Sequence, residues 1–134
     1  MPKLLISKED LWLKKSPEPL TTIVTGLTNK VIRSLHSPVK FVRILPRGRV
    51  VNRGYPFGSI EYDTNLKLLR SPILGSIVEV NDKLREEPEI LNKDPYGQGW
   101  IAVMKPINFE EDLKDLEEVE MGGLTDPFEP HKSV

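Results

Sequence analysis

The stretch GSIEYDTNLKLLRSP at residues 58–72 constrains the fold more than any other part of the chain. Two runs suited to strands, 58–62 and 66–70, flank Asp63-Thr64-Asn65. Asp and Asn bond back to their own main chain and tolerate left-handed backbone angles, so these three residues suit a tight turn. Ser71-Pro72 closes the second run, because Pro has no N–H for a ladder. The stretch therefore predicts a β-hairpin with a polar tip. A polar tip on two short strands is a device for presenting side chains to a partner.

The rest of the chain reads as more short strands between turn signals. Residues 1–20 form an extended lead-in, with a strand over 7–13, Trp12 as a core anchor, and a rigid turn at Ser16-Pro17-Glu18-Pro19. The β-branched run 21–25 predicts a strand that Gly26 ends. Apolar residues at 31, 32 and 35 have helical spacing, with Thr28 as cap and His36-Ser37-Pro38 as stop. Strands follow over 39–45 and 73–80, where Gly75 signals a bulge or a close backbone approach. Residues 81–92 permit short helical turns, 94–99 make a loop, and 100–104 a last buried strand. Asn108 caps a C-terminal helix with an apolar stripe of Phe109, Leu113 and Leu116, which Gly122-Gly123 ends. The pattern predicts a mainly β fold, a small barrel or sandwich with one short helix and a C-terminal helix. It predicts one domain over 1–121 and a flexible tail over 122–134.

Composition narrows the function classes. The chain has 134 residues, enough for one modest core. With 19 basic and 20 acidic residues it has no overall attraction to nucleic acid or to an anionic membrane. The basic residues Lys40, Arg43, Arg47, Arg49 and Arg53 cluster, while the C-terminal third is acidic. A solvated face is the expected use of that cluster, and docking of an acidic partner the alternative. Without cysteine, disulfides, thiolate metal sites and Cys nucleophiles are excluded. His36 and His131 lack metal-ligand spacing, and no nucleophile–base constellation or phosphate-cradling Gly loop stands out. Residues 1–6 have no long apolar run, so a soluble, cytoplasmic protein is expected.

Three segments together resemble the glycine cleavage system H protein family. Residues 87–100, EPEILNKDPYGQGW, are similar to that family's N-P-E-L-V-N-x-D-P-Y-G-x-G-W. Residues 71–81, SPILGSIVEVN, are similar to its S-P-V-x-G-x-V-V-E-V-N, and residues 56–61, PFGSIE, to its P-F-G-x-[IV]-E. Upstream, Trp12 and Gly26-Leu27-Thr28 stand near its H-E-W and G-I-T. The resemblance covers roughly residues 7–120. It implies a lipoyl-domain-like barrel–sandwich hybrid and a carrier, not an enzyme. In that family a hairpin-tip lysine joined to lipoate visits a glycine decarboxylase, an aminomethyl transferase and a lipoamide dehydrogenase.

The tip departs from the family pattern G-x-[IV]-E-S-V-K-A. Aligned without a gap from Gly58, the position matching the lipoyl lysine is Thr64. Glu61 is kept, while Tyr62, Asp63 and Asn65 replace small and apolar residues. A threonine hydroxyl cannot form the lipoyl amide, so no cofactor is predicted unless Lys67 is modified. Lys67 is the hairpin's one lysine, about 10 Å beyond the tip along an extended strand, and its odd spacing turns it to the opposite face. Glu61, Tyr62, Asp63 and Asn65 are then candidate partner contacts, although strand packing is the commoner use of a Tyr at such a position. The expectation is an armless binding or scaffold protein for glycine cleavage or lipoate-handling enzymes. The alternative is a working carrier modified at Lys67.

Overall fold

A computed structural model describes residues 3–16 and 21–120. Ten strands form two antiparallel sheets. The larger runs β10-β1-β2-β3-β9-β8-β5, with β1 Lys3–Ile6, β2 Leu11–Lys15, β3 Ile23–Leu27, β5 Val50–Val51, β8 Gly75–Val80, β9 Ala102–Pro106 and β10 Glu117–Glu120. The smaller runs β4-β6-β7, with β4 Val39–Ile44, β6 Pro56–Tyr62 and β7 Asn65–Arg70. One buried cluster draws on both sheets: Leu13, Ile23 and Met104 from the larger, Phe57, Ile60 and Leu69 from the smaller. This is the mainly β fold that the strand pattern predicts.

Helix α1, Asn29–Leu35, forms as expected, and Thr28 Oγ1 accepts from Val31 N at its start. It ends at His36, whose φ of 56° is the left-handed cap that glycine usually supplies. Short helical turns α2 (Lys83–Glu86) and α3 (Ile90–Lys93) occupy the charged connection. Gly75 marks a close approach, since a Cβ there would lie 2.5 Å from the Lys105 carbonyl oxygen. The irregularity in the β8–β9 register falls further on, between Ile77 and Glu79.

Some boundaries differ from the sequence reading. Ser7 to Asp10 make a turn rather than a strand: Ser7 Oγ accepts from Leu11 N, and Asp10 takes a positive φ of 61°. The lead-in is thus a hairpin of β1 and β2. Gly26 lies inside β3, opposite Trp12, where it makes room for the indole instead of stopping the strand. The last buried strand starts at Ala102, not at Trp100. The C-terminal helix α4, Phe109–Asp112, is capped by Asn108 as expected. It is shorter than the stripe suggests, passing through a 3-10 turn (Leu113–Asp115) into β10, with Leu113 exposed. Strand β10 pairs with β1, so the acidic run 117–120 closes a sheet edge. Residues 1, 2, 17–20 and 121–134 lie outside the described residues, and with them most of the expected turn at Ser16-Pro17-Glu18-Pro19, the expected stop at Gly122-Gly123 and the expected tail over 122–134.

Candidate functional site

The hairpin β6–β7 closes with Tyr62 directly opposite Asn65, leaving Asp63-Thr64 as the two-residue turn. The tip is thus one residue shorter than Asp63-Thr64-Asn65, and Asn65 opens β7. Asp63 has φ 52°, a conformation that Asp tolerates better than most residues. Asp63, Thr64 and Asn65 are all exposed. Lys40 Nζ donates weakly to the Asp63 carbonyl at 3.5 Å.

Residues directly opposite one another on antiparallel strands share a face. Val42, Ile60 and Lys67 form one row across β4, β6 and β7. Ile60 is fully buried, so this row faces inward, and Lys67 is half-buried within it. Tyr62 packs against the core from the same inner face. Phe41, Glu61 and Leu66 form an outward row, and Arg43, Ser59 and Leu68 the next. Glu61 pairs with Arg43 at 3.6 Å on that outer face. Of the candidate contacts, Asp63, Thr64 and Asn65 are exposed, Glu61 is half-buried on the outer face in its pair with Arg43, and Tyr62 is a packing residue. Sequence reading passed over Phe41, Leu66 and Leu68, all exposed. Their signal was alternation with Val42, Lys67 and Leu69, which is obscured because the inward position 67 holds a lysine while the outward positions 66 and 68 hold leucines.

The loop that carries the strongest sequence pattern braces this hairpin. Asp94 accepts from Gln98 N through Oδ2 and so shapes the turn. The Pro95 carbonyl accepts from Trp12 Nε1 at 3.0 Å, and Tyr96 OH accepts from Asn29 N at the start of α1. Asn92 Oδ1 accepts from Val39 N at 2.9 Å, while its Nδ2 donates to the Ser37 carbonyl. Val39 lies opposite Tyr62, next to the tip. A physical path thus runs from the loop through Asn92 and Val39 to the turn.

A lipoyl amide needs a primary amine. Thr64 offers a hydroxyl at the turn, and Lys67 starts from the inner face of the hairpin. Among the described residues no group of three His, Asp or Glu could hold a metal ion, and no helix is long and apolar enough to cross a membrane.

The pattern of the Glycine cleavage H-protein family matches residues 4–123. The chain belongs to that family. It is 36% identical over 109 residues to glycine cleavage system H protein 2 of Aquifex aeolicus, covering 81% of this chain and 66% of that protein. It is 43% identical over 95 residues to the glycine cleavage system H protein of Bacteroides fragilis, covering 71% and 74%. The crystal structure of a glycine cleavage system H protein from Mycobacterium marinum aligns with a TM-score of 0.71 at 27% identity, over 77% of this chain and 83% of that one. The expected family and fold are therefore found. The family is one of carrier proteins that work with the enzymes of the glycine cleavage system.

Proposed function

We propose that this chain is a non-lipoylated H protein homologue that acts by binding protein partners. The partners proposed are enzymes of glycine cleavage, such as the decarboxylase or the aminomethyl transferase, or enzymes that handle lipoate. One observation carries the reading: the exposed turn position that matches the family's lipoyl lysine is Thr64. The position of Lys67 opposite the buried Ile60 supports it, because a ligase that grips an exposed turn meets no amine there. The braced loop and the preserved fold support a retained partner-facing surface.

The test is the intact mass of the chain coexpressed with a lipoate ligase and lipoate. The expected result is the unmodified mass. A lipoyl-sized increment that vanishes in Lys67→Ala would overturn the reading and make the chain a carrier with a displaced arm.

A further inference from the structure

Strand β7 is an edge of the three-stranded sheet. In the β6–β7 ladder the hydrogen-bonded pairs are Tyr62–Asn65 and Ile60–Lys67, since the first of these closes a two-residue turn. The N–H and C=O groups of Leu66 and Leu68 therefore point away from β6. Among the described residues no main-chain partner takes them up. The same two residues expose their side chains, Leu66 at 58% and Leu68 at 44%, and Phe41 at 59% continues the row. The opposite edge, β4, has α2 packed beside it. A free edge that is also apolar invites another strand.

Charge selects the occupant. The three strands and their turn carry Lys40, Arg43, Lys67 and Arg70 against Glu61 and Asp63. The exposed turn residues Arg47 and Arg49 follow β4 directly. A second copy paired antiparallel about Lys67 would set Lys67 directly opposite its own counterpart, which like-charge repulsion disfavours. An added strand places alternate side chains beside Leu66 and Leu68 on the outer face, and the one between them beside Lys67 on the inner face.

We propose that β7 docks an extended acidic segment of a partner protein, added as a fourth strand, with an apolar–carboxylate–apolar run set against Leu66, Lys67 and Leu68. Main-chain bonds to Leu66 and Leu68 would supply affinity, and the carboxylate at Lys67 would supply selectivity. This deepens the proposed binding role by naming the partner's recognition chemistry. It fails separately, because the mass measurement reads the tip whereas the titration below reads the edge.

The experiment titrates the full chain, labelled for NMR, with the capped peptide Glu-Thr-Val-Glu-Val-Thr-Glu. Saturable amide shifts are expected on β7, together with slowed exchange at Leu66 and Leu68. The peptide with Lys in place of Glu should bind about tenfold more weakly, and raised salt should narrow the gap. The acidic peptide N-methylated on the amides that face β7 should lose binding, with the protein unchanged. Leu68→Pro, which deletes an N–H facing solvent, should do the same. Absence of saturable shifts, shifts centred away from β7, or equal binding of the basic or N-methylated peptide would each overturn the proposal. So would concentration-dependent dimerisation that protects the same amides, or binding of phosphatidylserine vesicles in preference to the peptide.

Discussion

The indole Nε1 of Trp12 donates to the carbonyl of Pro95 at 3.0 Å, joining positions 83 residues apart. Trp12 is buried, its ring stands 6.1 Å from that of Tyr96, and it lies over Gly26. This contact fastens the N-terminal hairpin to the loop that braces the tip. Trp12→Phe keeps much of the apolar area but strands the Pro95 carbonyl, and should cost about 1–3 kcal/mol in chemical denaturation. Gly26→Ala places a Cβ 2.6 Å from the indole, and overpacking should cost about 1–3 kcal/mol. In a Trp12→Phe background the second change should cost less, because the clashing atoms belong to the indole. Strict additivity of the two would show that the ring does not set the requirement for glycine.

His36 caps α1 in a left-handed conformation while its side chain is exposed. Substitution by glycine removes no packing and relieves the steric cost of a Cβ at positive φ, partly offset by the greater freedom of the unfolded chain. His36→Gly should raise stability by about 0.5–1 kcal/mol, read as a higher denaturation midpoint. A lower midpoint would mean that the imidazole makes a stabilising contact.

What was legible from sequence is what is encoded locally. Asp63 and Asn65 mark the hairpin because their side chains favour turns, and Thr28 and Asn108 mark helix starts because their oxygens satisfy orphan N–H groups. The hidden parts depend on partners distant in sequence. Gly26 reads as a stop until Trp12 is seen to need its missing Cβ. Glu117–Glu120 reads as a continuation of the helix until β1 is seen to pair with it. At the site, the turn chemistry marks Thr64 as part of the tip, but only the cross-strand register shows Lys67 opposite Ile60 and the free main-chain groups of Leu66 and Leu68.

Thr64 is exposed in the turn, so its replacement should be nearly neutral for folding. Thr64→Lys should change stability by less than about 0.5 kcal/mol. On the proposed reading it places an amine at the turn position that the resemblance aligns with the lipoyl lysine. Coexpression with a lipoate ligase should then add one lipoyl increment to the intact mass, retained in Thr64→Lys/Lys67→Ala. No increment despite unchanged stability would show that Tyr62, Asp63 and Asn65 have altered what the ligase grips.

Asp112 couples the C-terminal helix to the core. It is 3% exposed, its Oδ2 accepts from Leu74 N at 3.0 Å, and its Oδ1 accepts from Arg53 at 3.3 Å. Arg53 also pairs with Asp115, which in turn meets Lys8. Burial raises the Asp112 carboxyl above its ordinary value, and the neighbouring charges of Glu111 and Asp115 push the same way. The Leu74 N–H and Arg53 pull it down, but less. A carboxyl whose pKa is higher folded than unfolded adds stability below its unfolded pKa, and that contribution is lost as pH rises through the folded value. Asp112→Asn keeps an acceptor for Leu74 and cannot titrate. The stability of the parent relative to this variant should therefore fall as pH rises from below the ordinary carboxylate range toward neutrality. Arg53→Met should steepen the fall, because it removes the main opposing charge. Denaturation midpoints of the three proteins across that range decide it: a parent that gains on Asp112→Asn with rising pH would show that Arg53 and Leu74, not burial, govern the carboxyl.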